Sequence, residues 1–82
     1  MVLAKVTGSV VSSVKDARLS GLRLLTAAPL TEPSAAPLVA ADPLGAGVGD
    51  TVLIATGQAA RLALPTQDAP VDAAVVAIID QA

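Results

Sequence analysis

The sequence has no cysteine, no histidine and no aromatic residue, and each gap closes a class of explanation. Without cysteine there is no disulfide framework, and without cysteine or histidine the usual zinc ligands are missing. Without Phe, Tyr or Trp there is no platform for stacking nucleobases, as a single-strand binder requires. Positive charge is scarce as well. Five Lys and Arg against seven Asp and Glu leave a net charge of -2, which argues against a phosphate-backbone partner. Nucleic acid is not an expected partner. Long apolar runs are also lacking: the longest charge-free stretch, Thr51 to Ala60, has ten residues, against about 20 for a spanning helix. No membrane span is expected. The opening MVLAKVTG shows no basic region leading into an apolar core, so no secretory signal is read there and a cytoplasmic location is expected.

What is present is aliphatic, with 54% of the residues hydrophobic. The 82 residues make one domain, 1–82, of a size that buries only about 60% of its unfolded surface. Such chains are usually reinforced by disulfides, a metal or partner subunits. The composition removes the first two, and the apolar surplus fits buried interfaces between subunits.

Along the chain, Val2 to Val10 alternates Val2, Ala4, Val6, Gly8 and Val10 against Leu3, Lys5, Thr7 and Ser9, the period of a half-buried strand. The phase slips at Val10-Val11, where a bulge or bend is expected. Lys15 to Arg18 reads as a charged, solvated turn. Leu22 to Leu30 is a second strand whose edge or end Pro29 marks, and Thr31 to Pro37 an exposed loop. Leu38 to Ala41 and Thr51 to Thr56 are further strands. Gly57 to Leu62 favours one or two helical turns, ended by Pro65. Val71 to Asp80 is a fifth strand, apolar on both faces and so expected to be buried on both sides. Five short strands with a short helix before the last predict an all-β, five-stranded barrel of the OB type.

Between the third and fourth strands lies DPLGAGVGD, Asp42 to Asp50. Its G-x-G-x-G spacing precedes a strand, whereas a dinucleotide fingerprint needs G-x-G-x-x-G opening a helix. No lysine is near enough for a Walker loop, and two aspartates would repel phosphate. Two readings remain: a tight turn using glycine at positive φ, or side-chain-free backbone where several chains converge on a symmetry axis. Ser12-x-x-Lys15 matches a Ser-Lys nucleophile pair only in spacing, because the accompanying motifs and the large scaffold are missing. The acidic residues are scattered on turns, and with no His, Cys or Tyr there are few candidates for acid–base or nucleophilic roles. No enzymatic activity is expected. Arg61, among Ala60, Leu62 and Ala63, is open to two readings: a bidentate partner for a carboxylate across an interface, or a helix-end arginine reaching solvent.

Taken in order, MVLAKVTGSVVSSVKD, LSGLRLL, VAADPLGAGVGDTVL, GQAAR and PVDAAVVAIID resemble the pentameric vertex proteins of bacterial microcompartment shells, the EutN/CcmL-type family. That family has a similar M-x-L-x-K-V-x-G-x-V-V start, a D-x-x-G-A-G-x-G-[ED]-x-V loop, a G-S-S-A-R helical turn and a P-V-D-A-A-V-V-x-I-[IV]-D close. The resemblance implies an OB-like barrel assembling as a cyclic homopentamer that caps the five-fold vertices of an icosahedral shell. Hexameric and trimeric shell proteins would be its partners. It implies no catalytic, cofactor-binding or metal-ligating residues, and a place in the shell within the cytoplasm. The segments Gly45, Ala46, Gly47, Val48, Gly49, Asp50 and Gly57, Gln58, Ala59, Ala60, Arg61 would lie at the narrow pore and the subunit interface, with Asp42 or Asp50 at an opening that disfavours anions. The chain departs from the pattern at Gln58-Ala59, where the family has Ser-Ser, and at Pro43, where Ala is commoner. The alternative class is a small OB-like module holding a ligand or a protein partner.

Overall fold

A computed structural model describes residues 1–13, 15–32, 34–65 and 69–80. Five strands close into a barrel: β1 (Val2–Val10), β2 (Leu24–Pro29), β3 (Leu38–Ala41), β4 (Thr51–Thr56) and β5 (Ala73–Ile79), in the order β1-β2-β3-β5-β4. Every contact between strands is antiparallel except β3 with β5, which meet in parallel at Ala41 and Ala74 alone. One helix, α1 (Gln58–Leu62), stands between β4 and β5. This is the five-stranded barrel with a helix before its last strand that the residue pattern predicts.

Alternation sets the two sides of the wall. Ala4 and Val6 of β1, Leu25 and Ala27 of β2, Ala40 of β3, Val52 and Ile54 of β4, and Val75 of β5 fill the interior, all essentially unexposed. With no aromatic side chain available, a narrow barrel is filled by Ala set against Val, Leu and Ile. A second, smaller cluster lies outside the wall. There the outward residues Ala41 and Ala74 meet Ala60 of α1, Leu64 and Ala69, with Leu22, Leu24 and Val71 around them. The helix thus roofs one end of the β4–β5 wall.

The bulge in β1 is not at Val10-Val11. The register against β2 shifts between Val6 and Gly8, and β1 simply ends at Val10. The cause is local. Val6 donates its N–H to the Asp50 carbonyl and accepts from the Gly49 N–H, both at 2.9 Å, while it also faces Ala27 of β2. Thr7 is then the extra residue, and its hydroxyl lies 2.9 Å from that of Thr26. Three segments differ from expectation. The Lys15 to Arg18 segment runs into a 3-10 turn over Ala17–Leu19, capped by Asp16. β2 spans Leu24–Pro29 rather than Leu22 to Leu30, and β5 spans Ala73–Ile79 rather than Val71 to Asp80, while the helix ends at Leu62 as expected. Burial of β5 also falls short of two-sided. Ala73 to Val75 are buried, but Val76, Ala77 and Ile79 are only half-buried and Ile78 is 36% exposed. Pro33 of the expected loop and Val14 within Ser12 to Lys15 lie outside the described residues.

Candidate functional site

The loop from Asp42 to Asp50 is built around its first aspartate. Asp42 Oδ1 accepts from the backbone N–H groups of Leu44 and Gly45, each at 3.0 Å, and Oδ2 accepts from Ala46 N–H at 2.7 Å. An aspartate that captures backbone N–H groups a few residues ahead is a turn-former by chemistry. Arg23 Nη1 completes the set, donating to Asp42 Oδ2 at 2.9 Å and also to the Ala46 carbonyl. The Asp42 side chain is wholly buried while that of Arg23 is 44% exposed. The guanidinium therefore neutralises a carboxylate that would otherwise be costly to bury.

The far end is held separately. Asp50 Oδ2 accepts from Gly47 N–H at 2.8 Å, and Asp50 N–H returns to the Gly47 carbonyl at 3.0 Å. The two bonds to Val6 then stitch this end to β1. Ala46 points into the barrel core with no exposure, whereas Leu44 is 51% and Val48 71% exposed. The loop is a fixed platform bearing two outward apolar knobs. It is not a phosphate cradle: the N–H groups of Leu44, Gly45, Ala46 and Gly47 already serve Asp42 and Asp50.

Each expected site residue can now be placed. Gly45 and Gly49 are exposed and sit at φ of 87° and 92°, the left-handed region where only glycine is comfortable. Gly47 and Asp50 are half-buried, and Val48 is outward. Gly57 caps α1 and donates its N–H to the Asp72 carbonyl at 2.8 Å. Gln58, Ala59 and Arg61 are exposed, while Ala60 is buried under the helix. Ala46 and Ala60 thus serve the chain's own cores. The two segments flank the six residues of β4, so within one chain they stand roughly 20 Å apart at about 3.3 Å per residue. Asp42 does not edge an opening, because its carboxylate is enclosed by the loop it shapes. For Arg61 the structure records a bond from Nε to the Val71 carbonyl at 3.3 Å. No carboxylate pairs with it among the described residues.

Arg23 is the functional residue that the sequence reading passed over. Its signal was a lone charge in the apolar run Leu22 to Leu25, which a barrel wall tolerates only if a carboxylate waits beside it. The other described ion pair is peripheral. Arg18 grips Asp16 with two side-chain bonds and its own backbone N–H, holding that carboxyl down at about 2 from an ordinary 3.8. Open cavities occur among the described residues. One of about 210 Å³ lies among Leu19, Leu24, Val39 and Val71, and one of about 300 Å³ among Met1, Val2, Pro29 and Leu38. No group of metal-ligating side chains occurs among the described residues.

Comparison with known proteins extends over nearly the whole chain. Residues 1–80 match the family described as ethanolamine utilisation protein EutN/carboxysome. The carboxysome shell vertex protein CcmL of Synechococcus elongatus is 48% identical over 83 residues, covering 98% of this chain and 84% of that protein. The bacterial microcompartment shell vertex protein GrpN of Rhodospirillum rubrum is 43% identical over 83 residues, covering 98% of this chain and 93% of the other. The solved structure of GrpN, a pentameric microcompartment shell protein, superposes with a TM-score of 0.86 at 42% identity. That match covers 99% of this chain and 95% of the solved one.

Proposed function

The chain belongs to the EutN/CcmL family of microcompartment shell vertex proteins, and we propose that it works as they do: five copies close into a ring that caps a vertex of a shell. The observation that carries this reading is the full-length match to a pentameric relative. The chain's own physics supports it. A ring of identical subunits uses heterologous contacts, in which one patch of each copy meets a different patch of the next. This barrel exposes Val39, Leu44, Val48 and Leu62 by half or more, and such surface is costly to leave in water.

The role is structural rather than catalytic. His, Cys and Tyr are absent from the sequence, and the two cavities described above are walled mostly by aliphatic groups. The ring would sit in the shell of a cytoplasmic microcompartment, against hexameric and trimeric shell proteins. Within the ring, the glycine platform would meet the neighbouring copy. Gly47 is the sharpest pointer, since its own chain gives no reason for glycine there. The first turn of α1, with Gln58 and Ala59 exposed, would face the pore or its rim, where an amide replaces the family's hydroxyl.

Native mass spectrometry tests the reading. Five chains of 8.0 kDa make a ring of about 40 kDa, and that species should dominate and should bind hexameric shell proteins when mixed with them. A monomer as the main species at micromolar concentration would overturn the proposal.

A further inference from the structure

Strand β5 is apolar on both faces, yet its own chain covers only half of it. Up to Val75 the strand is buried between the barrel core and the α1 roof. Beyond that, register shows what lies beside it on the outer wall. Ala77 is opposite Leu53 of β4, which is opposite Leu3 of β1, and the Leu3 carbonyl takes the N–H of Leu30. One row down, Ile79 is opposite Thr51, which is opposite Lys5. These residues share one outward face, because their strand neighbours Ala4, Val52 and Ile54 point into the core. They form a panel across β5, β4 and β1 that reaches Leu30 just past β2, aliphatic apart from Thr51 and one lysine. Helix α1 does not cover the panel, since it packs at the opposite end of β4.

The border of the panel is open in a second way. β3 meets β5 only at Ala41 and Ala74. From Val76 onward, among the described residues, β5 therefore has a backbone partner on its β4 side only. A bare strand edge beside an apolar face is an invitation to association that soluble proteins normally blunt. Among the described residues nothing pairs with that edge. Lys5 has no ion pair among the described residues, so covering it calls for a carboxylate from the covering surface. A second copy supplies one readily, since Glu32, Asp72 and Asp80 are exposed and make no ion pair within the described chain.

We propose that this panel, Leu3, Leu30, Leu53, Ala77 and Ile79 with Lys5 and the free edge of β5, is one of the two faces by which neighbouring copies of this chain meet. The proposal rests on the ring-forming reading above and specifies where that ring is joined. A standard contact takes about 800 Å² from each partner, and a ring member makes two, so about a third of the 4879 Å² surface must be covered. The panel, half-buried in the single chain apart from Lys5 and Leu30, supplies a share of that area. An acidic group of the neighbour then faces Lys5, which sets the direction of the ring as well as its strength.

The test uses the two lysines of the unaltered protein, Lys5 and Lys15, both exposed in the single chain. Amine acetylation is followed by peptide mass spectrometry under conditions where native mass spectrometry shows the ring. Lys5 should react about tenfold more slowly than Lys15, as a contact centre excludes water. Equal rates, or slower reaction at Lys15, would overturn the panel while leaving the ring in place. Two variants give an independent reading. Leu53→Arg and Ala77→Arg should each raise the dissociation constant by about thirtyfold or more while keeping the dispersed amide spectrum of a folded barrel. Folded variants that remain rings at every dilution would overturn it too. An unaltered protein that is monomeric would instead remove the ring-forming reading on which the panel depends.

Discussion

A Cβ built at Gly47 would meet nothing closer than Asp50 Oδ2 at 3.8 Å, an ordinary contact, and the residue does not have positive φ. Two positions on, Gly49 has open space around it but φ of 92°. The two glycines therefore answer to different demands, and alanine at each separates them. Gly49→Ala should lower the unfolding free energy, read from denaturant titration, by about 1 kcal/mol or more, because the backbone must strain or shift. Gly47→Ala should leave the midpoint of the dissociated chain unchanged and weaken the ring, seen as a shifted dissociation curve in native mass spectrometry. Unweakened assembly in that variant would mean no neighbour approaches Gly47. Asp42 makes a parallel case. Asp42→Ala strands three N–H groups and a half-buried guanidinium, an expected cost of about 2–4 kcal/mol in urea unfolding. A loss under 1 kcal/mol would show that water replaces the carboxylate without penalty.

Elements carry the division between barrel and roof. Ile54 is fully buried in the barrel interior, while Leu64, 6% exposed, belongs to the smaller cluster beneath α1. Ile54→Ala should cost about 2–5 kcal/mol and Leu64→Ala an amount at the lower end of that range, because a site near the surface relaxes more easily. The reverse order in urea midpoints would make the helix roof the principal core. Elements were also the most legible part of the sequence. Alternation placed β1 at its observed limits, since a strand with one polar face announces itself residue by residue, and short runs rich in aliphatic and β-branched residues placed β3 and β4. The β1 bulge escaped because it is caused by Gly49 and Asp50, more than 40 positions away. Asp42 and Arg23 escaped for the same reason, being joined across 19 residues. The family resemblance named the glycine loop and the first turn of α1, which β4 separates within one chain, so the relation between them belongs to the ring and no local motif encodes it. For β5, two apolar faces were legible and two-sided burial was expected from them, but within the chain only Ala73 to Val75 are buried.

For the whole molecule, that missing cover is a statement about thermodynamics. A chain of 82 residues has an intrinsic margin of about 4–12 kcal/mol, and this one has no cysteine with which a disulfide could widen it. If copies cover one another's outer walls, folding and assembly draw on the same contacts and stability becomes a function of concentration. The size of the effect follows from mass action. When one ring unfolds to five chains, each tenfold rise in concentration stabilises each chain by four fifths of RT ln 10, about 1.1 kcal/mol. For a domain of this size that moves Tm by about 4–8 °C. Calorimetry from 1 to 100 μM chain should therefore show Tm climbing by about 8–16 °C over the two decades. The climb should flatten only where dilution has already emptied the ring. A Tm that stays constant while native mass spectrometry shows the ring intact would mean the barrel is stable alone. The outer panel would then orient neighbours without holding the fold together.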